Sequence, residues 1–299
     1  MSGWSADSLG VDGRVVLVTG ANSGLGLEIA AALAHGGARV LLACRNEAKA
    51  ADAIAQIGRR AETVAEFVPL DLADLSSVRA LGAQLRETGT PLDLLVNNAG
   101  LMATDQGTTA DGFETQFGVN HLGHFALTLE LLPLLQAAPA SRVVSMSSLG
   151  HRRGSMHFDD LMFSRSYSRW GAYYQSKLAN LLFTSELQRR LAAAGSSTIA
   201  LAAHPGFAHT DLGTEGTSFV NRALGPIYPV FSQSARRGAA PALRAATDPD
   251  AVGGQFYGPK LLFMGRAVLE TPSRAARDTA AAARLWEVSE RLTGETSPI

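Results

Sequence analysis

Short apolar strand-like runs and helix-like segments alternate along most of this chain, and that alternation constrains the fold more than any other feature. Arg14 to Val18 is a β-branched run, and Leu25 to Ala34 has helix-forming composition. The rhythm repeats: Arg39 to Ala43 reads as a strand, Ala48 to Ile57 as a helix, Thr63 to Leu70 as a strand. Leu75 to Arg86 reads as a helix with Asp74 as its N-cap, and Leu92 to Val96 as a fourth strand. One long helix from Phe113 to Leu135, a strand from Arg142 to Ser145, a helix from Gly171 to Leu191 and a strand from Thr198 to Ala203 follow. Strands and helices in strict alternation specify an α/β fold, a doubly wound parallel sheet with helices on both faces. Beyond His204 the pattern loosens, with a helix expected over Ala235 to Ala246 and a short strand over Gly254 to Tyr257.

The first crossing from strand to helix carries Thr19-Gly20-Ala21-Asn22-Ser23-Gly24-Leu25-Gly26. At such a crossing Gly20 permits a sharp turn, Gly24 permits backbone to approach a pyrophosphate, and Gly26 permits the helix to pack against the strand. The start of the helix then offers unpaired N–H groups and a partial positive charge to phosphates. A Rossmann-type dinucleotide site is the expectation, with Asn22, Ser23 and Leu25 beside the three glycines.

This glycine pattern, together with Tyr173-x-x-x-Lys177 further on, resembles the short-chain dehydrogenase/reductase family, from about Arg14 to about Leu212. Asn120-His121-Leu122-Gly123-His124-Phe125, Ser148 to His151 and Tyr173 to Asn180 look closest to its retinol dehydrogenase-like and WW-domain oxidoreductase-like group. The resemblance implies a nicotinamide-dependent alcohol/carbonyl oxidoreductase. It places Asp71, with Leu72, beside the adenine, and lets the compact Asn98-Ala99-Gly100 segment pass close to the cofactor. It also assigns Pro205, Gly206 and Thr210 to the nicotinamide amide or the phosphates.

Cofactor choice is read at the end of the second strand. An acidic residue there would hold the ribose 2′-hydroxyl of NAD and repel a 2′-phosphate. The sequence instead has Ala43-Cys44-Arg45-Asn46, and Arg45 can donate paired hydrogen bonds to a phosphate. Ser23 stands where many NADP-preferring relatives carry a basic residue. NADP(H) is favoured, and NAD(H) stays open.

Tyr173 and Lys177 lie one helical turn apart on the same face, which brings an ammonium beside a phenol. The cation favours phenolate and draws the phenol towards neutrality, as acid/base work at physiological pH needs. The family gives this lysine a second role on the nicotinamide ribose. Ser147 and Ser148 close the fifth strand, where a hydroxyl could stabilise charge on a substrate oxygen; the resemblance implies that the second of the pair, Ser148, does so, with Ser147 as its rival. Asn120 sits in a helix interior, where asparagine is unfavourable; in relatives an asparagine here bends the helix and holds a water that links the lysine to solvent. His121 and His124 are three apart with no evident third ligand, so they are read as packing residues and no metal is expected.

Lys plus Arg number 26 against 27 Asp plus Glu, a net charge of -1 that gives no general attraction for nucleic acid. The lone cysteine, Cys44, permits no internal disulfide and is read as a small buried apolar residue. No secretory signal and no uncharged apolar stretch of about 18 residues is found, so a cytoplasmic protein without a membrane span is expected. The domain reading is a single unit over 1–299, with a cofactor-binding and catalytic core over 14–206, a substrate loop or lid over 207–235 and a C-terminal elaboration over 236–299. Phe219, Val220, Leu224, Ile227, Tyr228, Val230 and Phe231 suggest an apolar cover for a lipophilic alcohol, aldehyde or ketone. Ordinary core packing or a subunit contact is the alternative for these residues, and a homodimer or homotetramer stays open. The rival functional class is a catalytically silent NADP(H)-binding sensor or scaffold on the same fold.

Overall fold

The computed structural model describes residues 4–6, 9–59, 61, 65–206 and 234–299. The strand and helix alternation begins β1 (Val15–Thr19), α1 (Gly24–His35), β2 (Arg39–Cys44), α2 (Glu47–Gly58), β3 (Ala65–Pro69), α3 (Leu75–Thr88), β4 (Leu94–Asn97). It continues with α4 (Thr115–Phe117), α5 (Gly123–Ala137), β5 (Arg142–Met146), α6 (Arg169–Ala193), β6 (Ile199–Ala203). The C-terminal part holds α7 (Ala235–Gly238), α8 (Ala240–Thr247), β7 (Phe256–Pro259), β8 (Ala267–Glu270) and α9 (Thr279–Thr293).

The strands form one sheet in the order β3-β2-β1-β4-β5-β6-β7-β8. All pair in parallel except β7 with β8, which is antiparallel. The chain winds outward from β1 in one direction through β3, then returns to the other side of β1 at β4. This reversal opens a crevice at the carboxyl ends of β1 and β4, where open α/β sheets bind ligands.

Central strands read as near-continuous apolar runs because both faces are covered. Leu17, Leu95 and Val143 point into the layer of α3, α5, α6 and α9. Their neighbours Val16, Val18, Val96 and Val144 point into the layer of α1, α2 and α8. Asp74 caps α3 as expected, accepting from the Ser76 N–H.

The structure departs from the sequence reading in three places. The long helix expected from Phe113 to Leu135 is divided by a π-helical turn over Gly118–Leu122, where the Gly123 N–H reaches back to the Gly118 carbonyl. The helix expected over Ala235 to Ala246 is split, and its second part starts beside Pro241, which has no N–H to spend in a helix interior. The C-terminal elaboration contributes the edge strand β8 and the helix α9, neither of which was anticipated. Among the described residues no helix is long and apolar enough to cross a membrane.

Asp278 caps α9, and Gly294 closes it in a left-handed conformation. The helix buries Trp286, whose ring stacks on Phe183 at 5.9 Å and meets Phe125 edge-on at 5.0 Å, while the Arg190 guanidinium covers it at 4.5 Å. Removing a fully buried indole leaves a cavity the surrounding rings cannot close. Trp286→Ala is expected to lower unfolding stability by about 3–5 kcal/mol, read by denaturant titration.

Candidate active site

A cleft of about 1310 Å³ runs along the carboxyl ends of the parallel strands. Gly20, Asn22, Ser23, Gly24, Leu25 and Gly26 line one end of it. Gly20 turns at φ +64, and a Cβ on Gly26 would overlap the Gly20 carbonyl and the Asn98 amide. Ser23 occupies the N-cap position of α1 without a side-chain cap, and the first turn carries no acidic residue. The Leu27 N–H donates to the Ser23 carbonyl at 3.1 Å, but the N–H groups ahead of it in that turn receive no cap from the Ser23 side chain.

The crevice is braced by a residue the sequence reading passed over. Thr19 Oγ1 accepts from the N–H groups of Asn98 and Ala99, both at 2.9 Å, and Asn98 Nδ2 donates to the Thr19 carbonyl. His124 Nε2 lies 2.8 Å from the same hydroxyl, and its Nδ1 lies 3.1 Å from the Asn120 carbonyl. Burial pulls His124 down to about 4, so the ring is neutral and couples β1 to the π-helical turn. His121 is likewise buried, pulled down to about 3, with Nε2 on Ser289 Oγ at 2.8 Å. Both histidines are thus hydrogen-bonded packing residues.

Arg45 lines the cleft at the end of β2 together with Asn46 and Lys49. Asn46 caps α2 by accepting from the Lys49 N–H at 2.8 Å, which turns the first helical residues towards the cleft. Lys49 was not anticipated; its signal in the sequence is the four-residue offset from Arg45 across a helix start. Asp71 lines the cleft, and its Oδ1 also closes a local turn by accepting from the Ala73 N–H at 2.9 Å. Leu72, Asn98, Ala99, Gly100, Pro205 and Gly206 also line the cleft. Cys44 is buried, and desolvation raises its thiol to about 11, as expected of an unreactive packing residue.

At the other end, α6 is capped by Ser168 and presents Tyr173 and Lys177 to the cleft. Lys177 Nζ lies 5.9 Å from the Tyr173 ring centre and 3.4 Å from the Met146 carbonyl. Burial lowers the ammonium from 10.5 to about 8. Ser147 is spent structurally, donating from its buried hydroxyl to the Lys177 carbonyl at 2.8 Å. Ser148 lines the cleft and accepts from the Gly150 N–H at 3.1 Å, which leaves its own O–H to donate.

Asn120 lies behind the cleft wall. Its Oδ1 accepts from the Leu101 N–H at 2.7 Å, and its Nδ2 donates to the Leu101 carbonyl and to Ser176 Oγ, both at 2.9 Å. A Cβ on Gly100 would lie 3.1 Å from both Asn120 Oδ1 and Lys177 Nζ, so the two side chains meet across that glycine. The helix irregularity that an interior asparagine suggested is the π-helical turn itself.

Trp170, Tyr174, Leu149, Met102 and Phe263 supply an apolar lining that the sequence reading did not locate. Tyr174, next to Tyr173, shares the cleft but has Leu178 at the offset where Tyr173 has a lysine. Thr210 and the apolar residues from Phe219 to Phe231 fall outside the described residues.

The short chain dehydrogenase family model matches residues 14–220. Human retinol dehydrogenase 13 is 42% identical over 298 residues, covering 96% of this chain and 87% of the relative. Mouse retinol dehydrogenase 11 is 40% identical over 296 residues, covering 98% and 90%. An uncharacterized protein from Mycobacterium paratuberculosis has a crystal structure that superposes with a TM-score of 0.84 at 45% identity, covering 100% of both chains.

The buried ammonium of Lys177 opposes folding. The group is protonated in both states below pH 8, so its burial penalty is full there. The penalty fades as pH rises from about 8 towards 10.5, where the unfolded chain still binds the proton and the folded one does not. Lys177→Met, a near-isosteric change, is expected to raise unfolding stability by about 1–3 kcal/mol at pH 7. That gain should shrink between pH 8 and 10.5, as read by denaturant titration across pH.

Proposed function

The chain belongs to the short-chain dehydrogenase family of oxidoreductases; on that premise we propose an NADP(H)-dependent enzyme that interconverts alcohols and carbonyls with Tyr173 as its acid/base. The observation that carries this reading is that Ser148, Tyr173 and Lys177 line the same cleft as the uncapped start of α1.

Gly20, Gly24 and Gly26, with the N–H groups of the first turn of α1, would hold the pyrophosphate, since a helix N-terminus without an internal cap favours an anion. The residues present fit such a group, because the first turn of α1 carries neither a capping side chain nor an acidic residue where it lines the cleft, and glycine at 26 lets that turn pack directly on the Gly20 carbonyl and Asn98. Arg45 would take the 2′-phosphate, and Lys49 adds a second cation on the same side of the cleft. A bound nicotinamide supplies or accepts the hydride.

The rest belongs to the chain's own side chains. Tyr173 delivers a proton to the carbonyl oxygen during reduction and removes it during oxidation. Lys177 keeps positive charge beside that buried phenol, so the phenolate formed on proton release is stabilised. Ser148 donates to the same substrate oxygen as charge builds on it. Asn120 fixes Leu101 and Ser176 around the lysine, so its role is to hold the site in register.

A lipophilic substrate is favoured by the lining of Trp170, Tyr174, Leu149, Met102 and Phe263. The names of the relatives point the same way, towards an apolar alcohol or aldehyde.

Tyr173→Phe is expected to cut kcat on a lipophilic aldehyde by about 10²–10⁴-fold, with NADPH affinity within about twofold of wild type. Unchanged turnover would remove Tyr173 from the chemistry. Arg45→Glu is expected to weaken NADPH relative to NADH by about ten- to a hundredfold in fluorescence titrations. An unchanged ratio would place the 2′-phosphate elsewhere.

A further inference from the structure

β8, the antiparallel edge strand, reaches both walls of the cleft through buried imidazoles. On one side, Glu270 Oε1 lies 2.9 Å from His204 Nε2, and His204 Nδ1 accepts from the Gly206 N–H at 3.1 Å. These two bonds fix the tautomer: Nε2–H donates to the carboxylate, and Nδ1 is left to accept. His204 is fully buried, and Gly206 lines the cleft.

On the other side, three residues past Glu270, the Ser273 N–H donates to His151 Nε2 at 3.3 Å. His151 Nδ1 lies 2.6 Å from the Ser148 carbonyl and donates to it. Burial pulls His151 down to about 4, in keeping with a neutral ring donating at one nitrogen and accepting at the other. Phe256 of β7 packs against both imidazoles, with ring centres 5.5 Å from His151 and 5.3 Å from His204.

Two further observations indicate that the arrangement is built around these groups. A Cβ on Gly258 would overlap both Glu270 Oε1 and His204 Nε2, so a glycine in mid-strand makes room for the pair. Arg152 Nη2 lies 3.4 Å from the second Glu270 oxygen, joining the carboxylate back to the turn that carries Ser148. Burial works against charge on Glu270, but the hydrogen bond from His204 and the Arg152 guanidinium hold it below the usual carboxylate range.

We infer that His151, His204 and Glu270 are positioning residues, a frame hung from β8 that sets the Ser148 turn and the Gly206 backbone at their working separation. The inference rests on the proposed function, in which Ser148 meets the substrate oxygen, and on Gly206 lining the same cleft, where the family resemblance assigns it to the cofactor. Apolar side chains would fill the same space with less desolvation, whereas hydrogen bonds fix distance and direction. Small displacements of groups around a reacting centre cost large factors in rate, and supporting hydrogen bonds are what prevent them.

Paired amide substitutions test the frame, because Asn and Gln have the same polar groups but reach different ring nitrogens. His151→Asn keeps a donor near the Nδ1 position for Ser148, and His151→Gln keeps an acceptor near Nε2 for Ser273. His204→Asn keeps an acceptor for the Gly206 N–H, and His204→Gln keeps a donor for Glu270. Each variant is measured for melting temperature, NADPH affinity and kcat at saturating NADPH on the best aldehyde of a panel.

The expected result is a split. His151→Gln should lose about ten- to a hundredfold in kcat with NADPH affinity nearly unchanged, while His151→Asn stays within about threefold of wild type. His204→Gln should weaken NADPH about tenfold with a smaller change in kcat at saturation, and His204→Asn should recover most of that affinity. Wild-type kinetics in both Gln variants would overturn the frame. So would Asn and Gln losing kcat and affinity together, in step with melting temperature, which is the signature of packing alone. A wild-type protein that neither binds NADPH nor reduces any aldehyde overturns the functional proposal and this inference together. An active wild type with indifferent variants overturns the inference only.

Discussion

The site depends on one ammonium held out of water. Lys177 is buried between α6 and the end of β5, and its Nζ has a carbonyl at 3.4 Å but no carboxylate in an ion pair among the described residues. A buried cation without a neutralising partner costs stability, so a fold keeps one where the charge is used. Around it the chain arranges the Tyr173 ring one helical turn away, the compact Gly100, and the Asn120 amide on the far side of that glycine. The π-helical turn over Gly118–Leu122 is part of the same construction, because it sets Asn120 where its amide bonds both Leu101 and Ser176.

The two halves of the cleft are joined by the sheet. Thr19 at the end of β1 gathers the N–H groups that follow β4, and His124 ties that hydroxyl to the π-helical turn. Thr19, His124 and the Asn120 carbonyl thus form a short chain of buried hydrogen bonds from the glycine turn towards the lysine. This neutral histidine occupies a place where a metal reading was available from spacing alone; its two ring nitrogens are instead engaged with Thr19 and the Asn120 carbonyl.

What was legible in the sequence is what depends on local chemistry. Strand and helix alternation gave the parallel sheet because each period reports burial on one segment at a time. Gly20, Gly24 and Gly26 mark a turn whose backbone demands are local, and Tyr173 with Lys177 share a helical face by spacing alone. Ser148 could be preferred to Ser147 only by resemblance, and the structure supplies a physical ground, since Ser147 donates to the Lys177 carbonyl. Elements that rest on distant pairing were hidden. β8 is four residues long and pairs with β7 across an apolar turn, Leu261 to Met264, that does not look like a hairpin loop. α9 does carry local signals in the sequence, Asp278 as its cap and Gly294 at its close. Trp170, Met102 and Phe263 come to the cleft from separate stretches of chain, and no spacing rule brings them together.

In the proposed reaction, hydride moves between a nicotinamide and a substrate carbon while Tyr173 and Lys177 manage the proton. The direct measurement is a single turnover of a lipophilic aldehyde with NADPH deuterated at the transferring position of C4, followed by mass analysis of the alcohol. One deuterium on the carbinol carbon, none appearing there when unlabelled NADPH is used in deuterated water, is the expected result. An alcohol without label from the cofactor, or labelled at carbon from the solvent, would contradict it.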